Sequence, residues 1–106
     1  TNWYEIQTQG SDWLTKTGNY TAFAGDKIFV NTSGGAVTIT LPATAAVGDE
    51  IRFNDVANNF DTHNLTVARN SHKIDGATSD LTVATEGAGF ALVYSGATYG
   101  WKLLEK

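Results

Sequence analysis

The chain contains 106 residues, of which 42% are hydrophobic, and it has 11 glycines, one proline, no cysteine and no methionine. A chain of this length forms one domain, here residues 1–106, and buries enough surface to fold without covalent cross-links. The lack of cysteine excludes disulfides and thiolate metal sites. The net charge of −4 argues against binding to nucleic acid or to an anionic membrane, and no apolar run is long enough to span a bilayer.

The first predicted strands carry large apolar residues on both faces. In NWYEIQTQ, Trp3 and Tyr4 point to opposite faces, and in SDWLTK, Trp13 and Leu14 do the same. A strand with one solvated face would not show this pattern, so we expect one face to meet another subunit or a ligand. A subunit contact is favoured because aromatic anchors dominate interface cores. A bound glycan is the alternative, since sugars stack on aromatic rings.

The next segments, DKIFVNTS and AVTITLP, alternate apolar and polar residues around Gly34 and Gly35. Two consecutive glycines favour a two-residue hairpin turn. In that register Val30 lies opposite Ile39, and the neighbouring apolar residues also share one face. The sequence therefore predicts an antiparallel hairpin.

Two short segments resemble each other. AGDKIFV at residues 24–30 and VGDEIRF at residues 47–53 share Gly-Asp, a charged residue and then isoleucine. We expect both to be turns that lead into strands, with glycine supplying the backbone freedom and aspartate bonding to nearby backbone. Two copies are too few to predict a repeat architecture.

The connection NDVANNFDTHN, residues 54–64, collects carboxylate and amide oxygens that a calcium ion would accept, but its spacing does not match an EF-hand loop. A plain polar connection is therefore favoured over a calcium site. A second polar connection, residues 70–80, carries SHKIDG. We expect both connections to face solvent or a host glycan. The residues that carry this expectation are Asn58, Asn59, Asp61, His63 and His72.

The two histidines are the only candidates for a neutral-pH general base. Ser71 adjoins His72, but neighbouring residues of a strand point to opposite faces, so the serine cannot pass its proton to that ring. No nucleophile-elbow motif is present. We therefore predict no catalytic site, no metal site and no cofactor.

The chain closes with VYSGATYGWKLLEK, which reads as a hairpin. A four-residue loop, SGAT, places Tyr94 opposite Tyr99 and Leu92 opposite Trp101, with all the large residues on one face. A three-residue loop would divide them between the two faces. The first register separates apolar from polar residues better, and it predicts that Trp101 is buried.

Together these segments predict about ten short strands, with turn signals spaced by roughly ten residues. Glycine and threonine are frequent, and no segment shows a convincing helical stripe. The expected fold class is all-β, an antiparallel sandwich or jelly roll with little or no helix.

Four segments of the chain resemble, in the same order, a module of tailed-phage structural proteins. They are GDKIFVNTSGGAVTITLPATAAVGDEIRF, NLTVARN, IDGATSDLTV and GFALVYSGATYGWKLLEK. The likeness covers about residues 20–106, and TSGGAVTITLP and LVYSGATYGWKL are its most specific parts. The module often lies at the C-terminal end of tail fibres and tailspikes, and it is common in cyanophage and other marine phage genomes.

The resemblance implies a β-sandwich that assembles as a homotrimer on the virion, with a structural role, a receptor-facing role or both. Its partners would be further copies of itself, other virion proteins and a host surface glycan. A chain complete at this length would lack a fibre shaft, which leaves room for a small protein that decorates a capsid or caps an appendage. The family carries no catalytic motif that maps onto these positions. The alternative function is a carbohydrate-binding module.

Overall fold

The computed structural model describes residues 13–105, which form nine β-strands and no helix. The strands are β1 (Trp13–Lys16), β2 (Tyr20–Thr21), β3 (Lys27–Val30), β4 (Val37–Thr40), β5 (Glu50–Asp55), β6 (Leu65–Ala68), β7 (Leu81–Val83), β8 (Gly89–Tyr94) and β9 (Trp101–Glu105). The predicted all-β class is confirmed. Within the described residues, no helix is available to cross a membrane.

The first six strands alternate between two sheets. The five-stranded sheet has the order β9-β8-β5-β3-β1, and the four-stranded sheet has the order β2-β4-β6-β7. Each of the strands β1 to β4 pairs in parallel with the strand two positions further along the chain. The chain therefore winds through three consecutive coils, and each coil adds one strand to each sheet. The antiparallel strands β7, β8 and β9 complete the sheets.

Both sheets are mixed, so the antiparallel sandwich or jelly roll is not confirmed, and the predicted hairpin around Gly34 and Gly35 is wrong. Val30 pairs with Asp55 rather than with Ile39, because β3 and β4 lie in different sheets. The turn is present, since the Gly35 amide donates to the Thr32 carbonyl at 3.0 Å, but it sends the chain to the opposite sheet. Residue alternation cannot distinguish the two arrangements, because both direct the same side chains into the core.

One hydrophobic core lies between the sheets and takes side chains from both. Its largest completely buried members are Trp101, Phe53, Phe60, Ile28, Ile39, Leu41, Ile51, Leu65, Leu92, Val30, Val37 and Val67. Each side chain of this size contributes about 1.5–3 kcal/mol when it leaves water. The alternating apolar residues of the sequence are therefore the ones that hold the coils together.

The two Gly-Asp segments form the same turn one coil apart. Asp26 donates its amide to the Phe23 carbonyl at 3.0 Å, and its carboxylate accepts the Phe23 amide at 2.8 Å. Asp49 makes the same two bonds to Ala46, both at 2.9 Å. The glycine before each aspartate has a positive φ, 89° and 96°. The predicted turn chemistry is confirmed, and the strands that follow the two turns, β3 and β5, pair side by side.

The closing hairpin has a longer loop than predicted. Trp101 lies opposite Tyr94, so the connection spans residues 95–100. Trp101 is completely buried, as predicted, but Tyr99 is 61% exposed, and its predicted place on the core face is wrong. The Gly100 amide donates to the Gly96 carbonyl at 2.8 Å and closes the loop one residue beyond Tyr99. Compared with the predicted hairpin, the register is shifted by two residues. A shift of two leaves each strand residue on its predicted face, but it places Tyr99 in the loop rather than in the strand.

Gly100 provides a test of this loop. Its φ is +71°, and a Cβ added there would overlap the carbonyl group of Lys73, which accepts the Trp101 amide at 2.8 Å. We expect Gly100→Ala to lower the free energy of unfolding by about 2–4 kcal/mol in chemical denaturation.

Gly34→Ala is the matched control, since nothing lies within 4 Å of a Cβ at that position. It should change the free energy of unfolding by less than about 0.5 kcal/mol. Equal effects of the two substitutions would contradict the described packing of Gly100 on Lys73.

Candidate functional site

The connection after β5 is organised by one buried carboxylate. Asp55 is 2% exposed, and its oxygens accept backbone amides from Asn59 at 3.0 Å, Phe60 at 2.9 Å and Gly87 at 2.9 Å. Phe60, next to one of these amides, is completely buried in the core. Asp55 thus joins its own loop to the turn before β8, and its oxygens already bond to backbone. Asp55 therefore has a structural role, whereas a calcium site in this connection would use it as a ligand.

Asn59 and His63 bond to the preceding coil. The Asn59 amide nitrogen and His63 Nδ1 lie 3.2 and 2.9 Å from the Thr32 carbonyl oxygen. Because a carbonyl only accepts, His63 Nδ1 carries the hydrogen. Both side chains are partly buried, whereas Asn58 and Asp61 are exposed. Of the four residues predicted to face outward in this connection, two therefore hold coils together and two face solvent.

His72 is also engaged internally. Its Nε2 lies 2.8 Å from the Ala43 carbonyl oxygen, and its Nδ1 lies 3.3 Å from the Tyr94 hydroxyl. Nε2 therefore donates and Nδ1 accepts, while the ring meets Tyr94 edge-on at 5.1 Å. The neighbouring Ser71 is exposed with φ 77°. Within residues 13–105, no group of three or more acidic or histidine side chains is arranged to hold a metal ion.

Trp13 lies on the outer face of the five-stranded sheet. Its ring stacks on Phe29, with centroids 4.6 Å apart and planes 19° apart. Ile28 and Val30 alternate with Phe29 along β3 and are completely buried, so the stack faces away from the core. Both rings are partly exposed. The other two residues predicted to make subunit contacts lie outside the described residues: Trp3 and Tyr4.

Charges of both signs lie on this same face. Arg52 and Glu50 form an ion pair at 2.6 Å on β5, and Lys27 lies on the neighbouring strand beside them. A depression of 330 Å³ opens here, and the turn at Gly25 and Asp26 completes its wall. The outer face of the five-stranded sheet therefore combines an aromatic stack with both acidic and basic groups.

Tyr20 connects β2 to the turn before β3. Its hydroxyl donates to the Asp26 carboxylate at 2.9 Å, and Lys16 Nζ lies 4.1 Å from the ring centroid. Burial raises the pKa of the Tyr20 hydroxyl, and the hydrogen bond to Asp26 and the negative charge of that group raise it further. The hydroxyl stays protonated at neutral pH and remains a hydrogen-bond donor.

A further cluster was missed by the sequence reasoning. Tyr99 is 61% exposed, Lys102 Nζ lies 6.0 Å from its ring centroid, and Lys102 pairs with the Asp75 carboxylate at 2.5 Å. We call these three residues the Tyr99 platform. Asp75 and Gly76 belong to the polar connection at residues 70–80, but their position beside Tyr99 arises from pairing between residues 74 and 101, which no spacing in the chain reveals.

A groove of 460 Å³ lies between β7, the start of β8 and β9. Its apolar lining includes Leu81 and Val83 of β7, Phe90 of β8 and Leu103 of β9, and the connection 84–88 forms one wall. The groove is continuous with the core, because these side chains pack against it.

Comparison with known proteins yields no matching family model and no matching curated protein.

Asp55 supports a specific test. Asp55→Asn replaces one acceptor oxygen with an NH₂ group that would face a backbone N–H donor. We expect the free energy of unfolding to fall by about 2–3 kcal/mol in chemical denaturation, because a buried amide loses its partner.

The control is Asp61→Asn, which makes the same chemical change at an exposed position of the same loop. It should alter stability by less than about 0.5 kcal/mol. If Asp55→Asn proved equally neutral, the described role of this carboxylate would be wrong.

Proposed function

We propose that this protein is a structural component of a bacteriophage virion that self-associates, as a homotrimer, through apolar and aromatic side chains outside its core. It would serve as a β-domain of a tail fibre or tailspike, or as a small capsid-decorating or appendage protein that contacts other virion proteins and a host surface. The mechanism is surface burial rather than chemistry. The sequence resemblance over residues 20–106 supports the virion assignment.

The outward stack of Trp13 on Phe29 is the observation that carries the self-association. Two stacked rings on the solvent side of a sheet leave apolar area in water, and aromatic anchors of this kind supply most of the binding energy at protein interfaces. Neither ring is needed to fill the core, since Ile28 and Val30 fill it from the other face of β3. The stack is therefore better explained by association than by folding.

The charges around the stack favour further copies of the same face, grouped around a three-fold axis, as the partners. Glu50 and Arg52 present opposite charges on one strand, with Lys27 beside them. A surface that carries both signs can be complementary to a rotated copy of itself, as symmetric assembly requires. The net charge of −4 would otherwise oppose association between identical chains.

Light scattering after size-exclusion chromatography tests the association. The unchanged protein should have a molar mass three times that of the chain at micromolar concentration. Trp13→Ser and Phe29→Ser should each shift the mass toward the monomer, with circular dichroism unchanged, because both remove outward aromatic area.

Phe23→Ser is the matched control. Phe23 is 68% exposed but lies on a turn rather than on the sheet face, so its substitution should leave the molar mass unchanged. The proposed association would be wrong if the unchanged protein were a monomer, or if Phe23→Ser lowered the molar mass as much as Trp13→Ser does.

Mass spectrometry of purified particles tests the location, since peptides of this chain should copurify with the virion.

A further inference from the structure

We propose that the Tyr99 platform binds a saccharide, with one pyranose ring stacked on Tyr99 and its hydroxyl groups bonded to the Asp75 carboxylate and the Lys102 ammonium group. This inference is independent of the virion role and of self-association. His63 and His72, which were expected to face a host glycan, bond internally instead, and the proposed site lies at the end of the molecule where β9 begins.

The chemistry of the three groups matches that of a sugar. A pyranose has a face of C–H groups and a rim of hydroxyls, so it needs an open aromatic face beside hydrogen-bonding side chains. Tyr99 is 61% exposed, and Asp75 and Lys102 lie at its side. Phe23 is as exposed, but the carboxylate nearest to it in the chain, that of Asp26, already accepts hydrogen bonds from the Phe23 amide and the Tyr20 hydroxyl.

The platform is held in place by backbone bonds. Asp75 and Gly76 form the two-residue turn of a short hairpin, and both have positive φ, 52° and 81°. The Asp75 amide donates to the Trp101 carbonyl at 2.6 Å, and the Gly76 amide donates to the Tyr99 carbonyl at 2.9 Å. The carboxylate and the ring therefore belong to two loops that are already joined. Because the site is already ordered, little conformational entropy is lost when it binds a ligand.

The surroundings of Tyr99 argue against a protein partner at this position. An interface core needs contiguous apolar area, as the stacked rings of Trp13 and Phe29 provide. Tyr99 is instead a single ring beside Lys102 and Asp75, and Lys73 Nζ donates to the Thr98 carbonyl of the same loop at 3.4 Å. One ring inside a polar rim suits a small polyhydroxylated ligand. The net charge of −4 disfavours nucleic acid, which also stacks on tyrosine.

Titration with methyl glycosides, followed by amide nitrogen–proton NMR, tests the proposal. The probes are the methyl glycosides of glucose, galactose, N-acetylglucosamine and glucuronic acid. At least one should shift the Gly76 and Gly100 amide signals saturably, with a dissociation constant of about 1–10 mM. These two glycines adjoin the platform, and glycine amides occupy a well-separated region of the spectrum.

Three variants connect the binding to the platform. Tyr99→Ala should weaken it at least about tenfold, whereas Tyr99→Phe should retain it, because stacking needs the ring and not the hydroxyl. Asp75→Asn should also weaken it while preserving the turn, since Asn-Gly favours the same hairpin geometry. Phe23→Ala, the exposed-ring control, should leave the dissociation constant unchanged.

Three results would overturn the proposal. The first is a panel in which no glycoside shifts the two glycine signals saturably. The second is binding that Tyr99→Ala does not weaken. The third is a change of molar mass in Tyr99→Ala, which would make this ring a subunit contact. The proposed self-association is judged separately by Trp13→Ser, so failure of one proposal is distinguishable from failure of the other.

Discussion

Each of the first five strands is followed by a crossing to the opposite sheet, and this alternation around one core determines the rest of the structure. Neighbouring strands of a sheet are a whole coil apart in the chain, so their backbone hydrogen bonds join distant residues. The Ala22 amide, for example, donates to the Thr40 carbonyl, and the Leu41 amide donates to the Ala68 carbonyl, both at 2.8 Å. Within each coil, the connections run along the rim of the core instead of forming tight hairpins.

A chain that follows the rim of a core leaves backbone polar groups there without a ladder partner. Side chains take their place, because a buried amide or carbonyl without a partner is costly. Asp55 accepts three amides, His63 donates to the Thr32 carbonyl, and Asn70 donates to the Leu41 carbonyl at 2.9 Å. This explains why asparagine, aspartate and histidine collect in the connections, where they resemble ligand-binding residues.

The sequence predicted most of the core faces correctly and the pairing of β3 with β4 incorrectly, and both outcomes have the same cause. Alternation is local, so it identifies Ile39 and Val67 as inward-facing in any sheet. It contains no information about strand direction, so Gly34 and Gly35 were interpreted as a hairpin although the turn leads to the other sheet. The repeated Gly-Asp turns were a better signal of the coils, because the same turn recurs before strands that lie side by side.

The candidate contacts differ in predictability for a related reason. The pattern of its own strand, with large residues on both faces, predicts Trp13 as a contact residue. The structure adds that its ring stacks on Phe29. Asp55 and the Tyr99 platform depend on contacts between coils, which no local pattern encodes. A residue whose neighbours lie on its own strand can thus be identified from the sequence. A residue whose neighbours lie on another coil can be identified only from the structure.

The last hairpin shows how a single backbone position separates two aromatic roles. Tyr99 and Trp101 are two residues apart, and a continuous strand would place both rings on one face. Gly100 has φ +71° and lies against the Lys73 carbonyl, so regular strand geometry begins only at Trp101. Trp101 therefore enters the core, while Tyr99 stays on the loop beside Asp75. The chain ending that supplies a buried ring thus also supplies an exposed one, and only the exposed ring is available to a ligand.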